Sequence, residues 1–394
     1  MRKEVSLLEA CDFIRDGTHS SPERTPTGIP VLSAEHVIDG GLSFDTARFT
    51  SLRELEIFHR RLHPCPGDVL LTIVGTIGRV GVVRDVRPFV FQRSVCVFRP
   101  KSGVLDSRYL QYCLRSAYVQ RQLTKETREV AQAGVYLEAL NEIRIPYIPL
   151  SAQQLIANRL DACDALCLTR RLALQLCDDF LPAAFFEMFG RSTTAWPTVS
   201  VEKLAANEPN SVRTGPFGSQ LLHSEFTSTG VAVLGIDNAV NNRFEWAERR
   251  YISPQKHAQL KRYTVRPGDV IITIMGTCGR CAVVPSDIPL AINTKHLCCI
   301  TLDRTRALPE FLHAAFLFQP SIRRQLGASQ KGAIMDGLNM EIIKGLTLPL
   351  PPIHLQRRFV ALVQEQSGLR AAHVEALRQA DHLFQTLLQE AFVQ

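Results

Sequence analysis

The chain has 394 residues, a formal net charge of +7 and 45% hydrophobic residues. That length suits two or three domains with packed cores, and the basic balance suits a polyanionic partner. Met1 to Ala10 lacks an apolar signal core, and no apolar run reaches the ~18 residues of a membrane span, so a soluble cytoplasmic protein is expected.

Residues 1–149 are expected to form a first module. A short apolar stretch from Leu7 to Ile14 precedes a polar loop, Asp16-Gly17-Thr18-His19-Ser20-Ser21. Thr27-Gly28-Ile29-Pro30-Val31-Leu32 then leads into a strand. Pro66 to Arg79 reads PGDVLLTIVGTIGR. Pro-Gly-Asp is turn chemistry, and the apolar run after it reads as a buried strand. The glycines of Gly-Thr-Ile-Gly permit a sharp bend, with Arg79 at the turn into a second strand, Val80 to Val83.

Residues 150–190 differ in kind. A Pro-stiffened lead-in, Ile145 to Leu150, precedes Ser151 as an expected N-cap and Gln153 in the first turn. Ile156, Leu160, Cys163, Cys167, Arg170, Leu174, Cys177 and Leu181 follow at alternating steps of four and three, which is a coiled-coil seam. Pro182 is a candidate kink.

Residues 191–351 repeat the first module. Pro267 to Arg280 reads PGDVIITIMGTCGR, identical at ten of fourteen positions. Thr229 to Leu234 echoes Thr27 to Leu32, Phe311-Leu312 echoes Tyr109-Leu110, and Leu338-Asn339 is read as the echo of Leu140-Asn141, with a three-residue insertion near Ile342. One fold duplicated within the chain is the reading. Thr214-Gly215-Pro216-Phe217-Gly218-Ser219-Gln220 stands where the first module has its Asp16 to Ser21 loop. Residues 352–394 repeat the helix, from Gln356 through Leu355, Phe359, Leu362, Gln366, Leu369, His373, Ala376, Ala380, Leu383 and Leu387. Two helices of about 40 residues would each run roughly 60 Å and pair with one another.

A catalytic centre is not visible. There is no G-x-x-x-x-G-K-[ST] loop, no Asp/Asn-Pro-Pro-aromatic motif and no nucleotide-binding G-x-G after an N-terminal strand. Cys278-Gly279-Arg280-Cys281 has zinc half-site spacing. The first copy puts Ile77 and Val80 there, so the cysteines read as core positions. The eleven scattered cysteines suit a reducing compartment. Arg79 and Arg280 beside exposed glycine amides suit a phosphate, or else a structural pair with Asp68 and Asp269. Gln92-Arg93-Ser94 and Asn293-Thr294-Lys295-His296 occupy equivalent places with different residue types. Gln and Asn read adenine, and Arg and Lys read guanine, so this is how two readers of different sequences would look.

The duplicated P-G-D-V-x-x-T-I-x-G-T-x-G-R stretches, Gly215-Pro216-Phe217-Gly218-Ser219, and Leu348-Pro349-Leu350-Pro351-Pro352 through Gln356 resemble the specificity (S) subunit, HsdS, of type I restriction–modification systems. The resemblance covers the whole chain in organisation, but the first copy lacks the Gly-Pro-Phe-Gly form. It implies an α/β (α+β) fold with two target recognition domains (1–149 and 191–351) and two long antiparallel helices (150–190 and 352–394) in pseudo-twofold arrangement. It implies that each domain reads half of a split double-stranded DNA target, with half-sites about one helical turn apart. The helices would set the spacing and dock two modification subunits that carry S-adenosylmethionine and methylate adenine, and ATP-driven restriction subunits can join. The chain itself would be non-catalytic and hold no cofactor or metal. DNA contacts are expected at Thr18, His19, Ser20, Arg79, Gln92, Arg93 and Ser94 in the first module. In the second they are expected at Arg213, Phe217, Ser219, Gln220, Arg280, Asn293, Lys295, His296 and Lys331. The competing readings are the specificity region of a single-chain restriction–methylation enzyme and a stand-alone DNA-binding scaffold.

Overall fold

The computed structural model describes residues 3–84, 87–128, 134–190, 196–246, 248–331 and 337–392, with the side chains of 127–128 and 328–331 left out of the description. Two compact units emerge: Met1–Arg171 with Glu375–Gln394, and Leu172–Val374. Each unit thus takes part of each long helix.

Unit 1 is built on a four-stranded antiparallel sheet in the order Cys11–Asp16, Val95–Pro100, Val69–Thr72, Val80–Val82. Unit 2 has the same sheet in the same order: Val212–Thr214, Leu297–Ile300, Val270–Thr273, Cys281–Val283. The strands after each Pro-Gly-Asp are buried along their whole length, as a continuous apolar run requires. A second sheet in unit 1 has three strands, centred on Ile29–Leu32. Its counterpart in unit 2 has five, centred on Val231–Leu234. In both, this central strand pairs in parallel with the strand that leads into the loop at Gln92–Ser94 or Thr294–His296. One apolar layer packs between the two sheets of each unit, and another packs beneath helices that include Ser107–Arg115 and Pro309–Phe318.

The long helices span Leu150–Phe185 and Ile353–Phe392. The first begins at Leu150, so Ser151 lies inside the first turn and is not its cap. It runs through Pro182 to Phe185 and passes into a wider turn at Phe186–Gly190. In unit 2 the Gln366 amide donates to the Cys177 carbonyl at 2.7 Å and the Phe185 and Phe359 rings meet at 5.6 Å, so the helices run antiparallel there. In unit 1, Leu160, Cys163 and Cys167 share a core with Ala380, Phe384, Leu388 and Phe392. That last series steps by fours, and Leu383, expected in the seam, is exposed. The reason is the module: Phe384 and Phe392 pack on Tyr112 and Tyr109, so the buried face is set by the module as well as by the first helix.

The two units repeat each other down to single amides. Gln153 and Gln356 are both fully buried. Gln153 donates to the carbonyls of Val104 and Ile148 and accepts from the Asp106 N–H. Gln356 donates to those of Arg306 and Pro351 and accepts from the Leu308 N–H. One sequence-level echo is corrected. The short helices Leu137–Glu142 and Met340–Gly345 correspond, and the buried Leu140 matches Ile343. Leu338 matches Val135, because each donates its N–H to the carbonyl of the residue just after the matching strand, Ile274 or Ile73. The register therefore needs no insertion at Ile342.

Candidate nucleic-acid interface

The two Gly-Thr-x-Gly-Arg tips are held alike. Gly75 and Gly276 adopt φ of +79° and +71°, a conformation that disfavours any residue with a Cβ. The Arg79 and Arg280 N–H groups donate to the side-chain hydroxyls of Thr72 and Thr273, each at 2.9 Å. Clamped at the backbone, both arginines expose their side chains. The alternative of pairing with the turn aspartates is not what the chain does. Asp68 pairs with Arg99 at 2.7 Å, and Asp269 pairs with Arg213. Each aspartate also accepts an N–H of its own turn, from Cys65 and Arg266, both at 2.8 Å.

In unit 1 the opening loop and the second tip are laced together. The Thr18 N–H donates to the Phe91 carbonyl at 2.9 Å, and the Arg93 N–H donates to the Thr18 carbonyl at 3.0 Å. Asp16 anchors the loop: one oxygen meets Arg61 at 2.7 Å, the other His19 at 2.8 Å. Thr18, His19, Ser20, Gln92 and Arg93 thus form one surface cluster. Ser94 sits behind it, half-buried, its hydroxyl accepting from the Ala34 N–H at 3.2 Å. A cleft of about 480 Å3 is lined by His19, Arg61, Arg93, Tyr136 and Glu138.

In unit 2, Phe217 is exposed at 52%, and Ser219 and Gln220 lie on the same exposed turn, Gly218–Gln220. Gln220 accepts from the Tyr263 hydroxyl at 2.8 Å. Lys295 is exposed and His296 half-buried. Burial, then the charges of Lys295 and Arg250, push the His296 imidazole below its ordinary range.

Two expected contacts do not reach the surface. Arg213 lies in the interior, donating to Asp269, to the Thr264 and Asn210 carbonyls and to Thr301. A charge taken out of water needs this many partners. Asn293 is fully buried and donates to the Leu297 carbonyl at 3.0 Å. It ends a core strand and matches Phe91, since Leu234 pairs with Asn293 as Leu32 pairs with Phe91. The equivalent tips are therefore Gln92-Arg93-Ser94 and Thr294-Lys295-His296. Lys331 closes the helix Pro320–Lys331, and its side chain lies outside the described residues. Local sequence patterns do not single out Arg61, Tyr136 or Glu138, which only the fold brings to the unit 1 cluster.

All eleven cysteines are free thiols. Cys281 is buried against the His313 carbonyl, and burial pushes its pKa well up. Among the described residues no group of three or more His, Cys, Asp or Glu could hold a metal ion, and no helix is long and apolar enough to cross a membrane.

Residues 3–175 match the family model described as the type I restriction modification DNA specificity domain. The type I restriction enzyme EcoBI specificity subunit of Escherichia coli is 23% identical over 331 residues, which cover 77% of this chain and 69% of that protein. The MjaVIII specificity subunit of Methanocaldococcus jannaschii is 26% identical over 167 residues, covering 41% and 39%. In fold, the chain is similar to the crystal structure of the type I restriction–modification S subunit from M. genitalium. The TM-score is 0.61 at 13% identity, covering 100% of this chain and 96% of that one.

Proposed function

We infer, for a chain that belongs to the family of type I restriction–modification specificity subunits, that its work is to select DNA sequence for enzymes bound to it, with no chemistry of its own. Unit 1 and unit 2 each read one half of a bipartite duplex target. The observation that carries this is one frame with two sets of tips: the same four-stranded sheet, the same Thr–Arg clamp and the same buried glutamine hold Gln92-Arg93-Ser94 in one unit and Thr294-Lys295-His296 in the other. Arg79 and Arg280 are the phosphate contacts, and Arg93, Lys295 and the loops at Thr18–Ser20 and Phe217–Gln220 face the bases.

The long helices hold the spacing and dock two adenine-methyltransferase subunits, which bring S-adenosylmethionine. Support comes from Leu172, Leu176 and Phe180, which step by four along the first helix and stay 56%, 64% and 45% exposed. Ridges of this kind are the usual docking face of a partner helix. ATP-driven restriction subunits can join this complex, in the cytoplasm.

The test is an exchange of residues 1–149 for the same region of a relative, read by mapping methylated adenines in cells carrying the hybrid and its methyltransferase. One half of the methylated sequence should change and the other persist. Change in both halves, or in neither, rejects the modular reading.

A further inference from the structure

Arg93 and Glu138 both line the unit 1 cleft, and both are exposed. Among the described residues neither has an ion-pair partner, and they do not pair with each other. The matching carboxylate in unit 2 is Glu341, one residue into the helix that corresponds to Leu137–Glu142. That one is engaged by Lys344 at 3.3 Å, where unit 1 has Asn141 in the corresponding place.

A free carboxylate on a surface that meets DNA repels the phosphates and lowers affinity. It is useful there only if it accepts a hydrogen bond from a base. In the major groove such donors are the cytosine N4 and adenine N6 amino groups. A guanidinium lining the same cleft prefers guanine, whose O6 and N7 are both acceptors. Cytosine and guanine are partners, so a single base pair satisfies both side chains, whereas an A·T pair places no acceptor pair opposite the arginine in this arrangement.

Resting on the reading of the chain as a DNA specificity subunit, we propose that the unit 1 cleft reads a G·C base pair, Arg93 taking the guanine edge and Glu138 the cytosine amino group. Glu138 is then a specificity-determining residue without an equivalent in unit 2, where Lys344 already occupies the carboxylate.

The experiment maps methylated adenines in cells carrying the full chain with its methyltransferase, as wild type, Glu138→Gln, Arg93→Gln and Glu341→Gln. Wild type should show a bipartite sequence with a G·C pair in one half. Glu138→Gln and Arg93→Gln should relax that one position, raising methylation at sites with another pair there about 10-fold, and Glu341→Gln should leave the sequence unchanged. Binding of Glu138→Gln to non-target duplex should tighten, an effect a merely structural glutamate would not produce. If wild type yields no bipartite sequence, the specificity reading itself falls. If it does, and Glu138→Gln keeps the G·C preference, loses methylation at every site, or alters both halves, the proposal for the cleft falls alone.

Discussion

Arg213 and Asp269 form an ion pair in the interior of unit 2, while the equivalent carboxylate of unit 1, Asp68, takes its arginine from a different strand, at Arg99. The turn that needs the carboxylate is shared; the cation that neutralises it is not. Removing one member of a buried pair leaves the other charge stranded, at about 3–5 kcal/mol. Arg213→Ala is therefore expected to lower the unfolding free energy of unit 2 by that order in chemical denaturation. Where the variant is still folded, its methylated sequence should match that of wild type, which would separate a structural arginine from a reading one.

Gln153 and Gln356 each make three hydrogen bonds from a fully buried amide. Alanine at either leaves an N–H and two carbonyls short of a partner, at about 1–3 kcal/mol for each group truly stranded. Each substitution should destabilise its own unit, seen as faster amide exchange confined to that unit. Exchange rising equally in both would contradict the shared but separate roles.

Arg280 is clamped through its backbone and carries its side chain in the open. Arg280→Ala is expected to weaken binding to every duplex alike and to reduce the slope of log affinity against log salt by about one. A loss confined to particular sequences would make Arg280 a base reader instead of a phosphate contact.

His313 donates from Nε2 to the Asn242 and Cys281 carbonyls at 2.9 and 3.1 Å. Burial holds its imidazole below the ordinary value of 6.5, outweighing the hydrogen bonds, which act the other way. The unfolded chain therefore binds the proton more readily. The stability His313 contributes is whole above pH 6.5 and falls as pH drops through it, by at most about 1.4 kcal/mol per pH unit. Unit 2 should melt at a lower temperature near pH 5 than near pH 7.5, and His313→Gln should reduce that difference, leaving the share that His296 contributes.

Much of this protein could be read from order alone. Pro-Gly-Asp followed by an apolar run marks a turn and a buried strand wherever it occurs, and both copies fold so. The two long helices follow from apolar stepping and from the Pro-rich segments before them. Gln153 and Gln356 matched by position, and they match by role. These features depend on neighbours a few residues apart, which is the range over which backbone preference and side-chain periodicity act.

Tertiary structure decided the rest, because long side chains find partners far along the chain. Asp68 meets Arg99 and Asp269 meets Arg213, over separations of 31 and 56 residues that no local pattern encodes. Asn293 looks like a reading residue in a string of polar letters, but the parallel pairing with Leu234 sets it inside the sheet. Arg93 and Glu138 line one cleft although they stand far apart in the chain, one in a loop and the other in the helix Leu137–Glu142. Periodicity reports which face of an element is covered, and only packing determines what covers it.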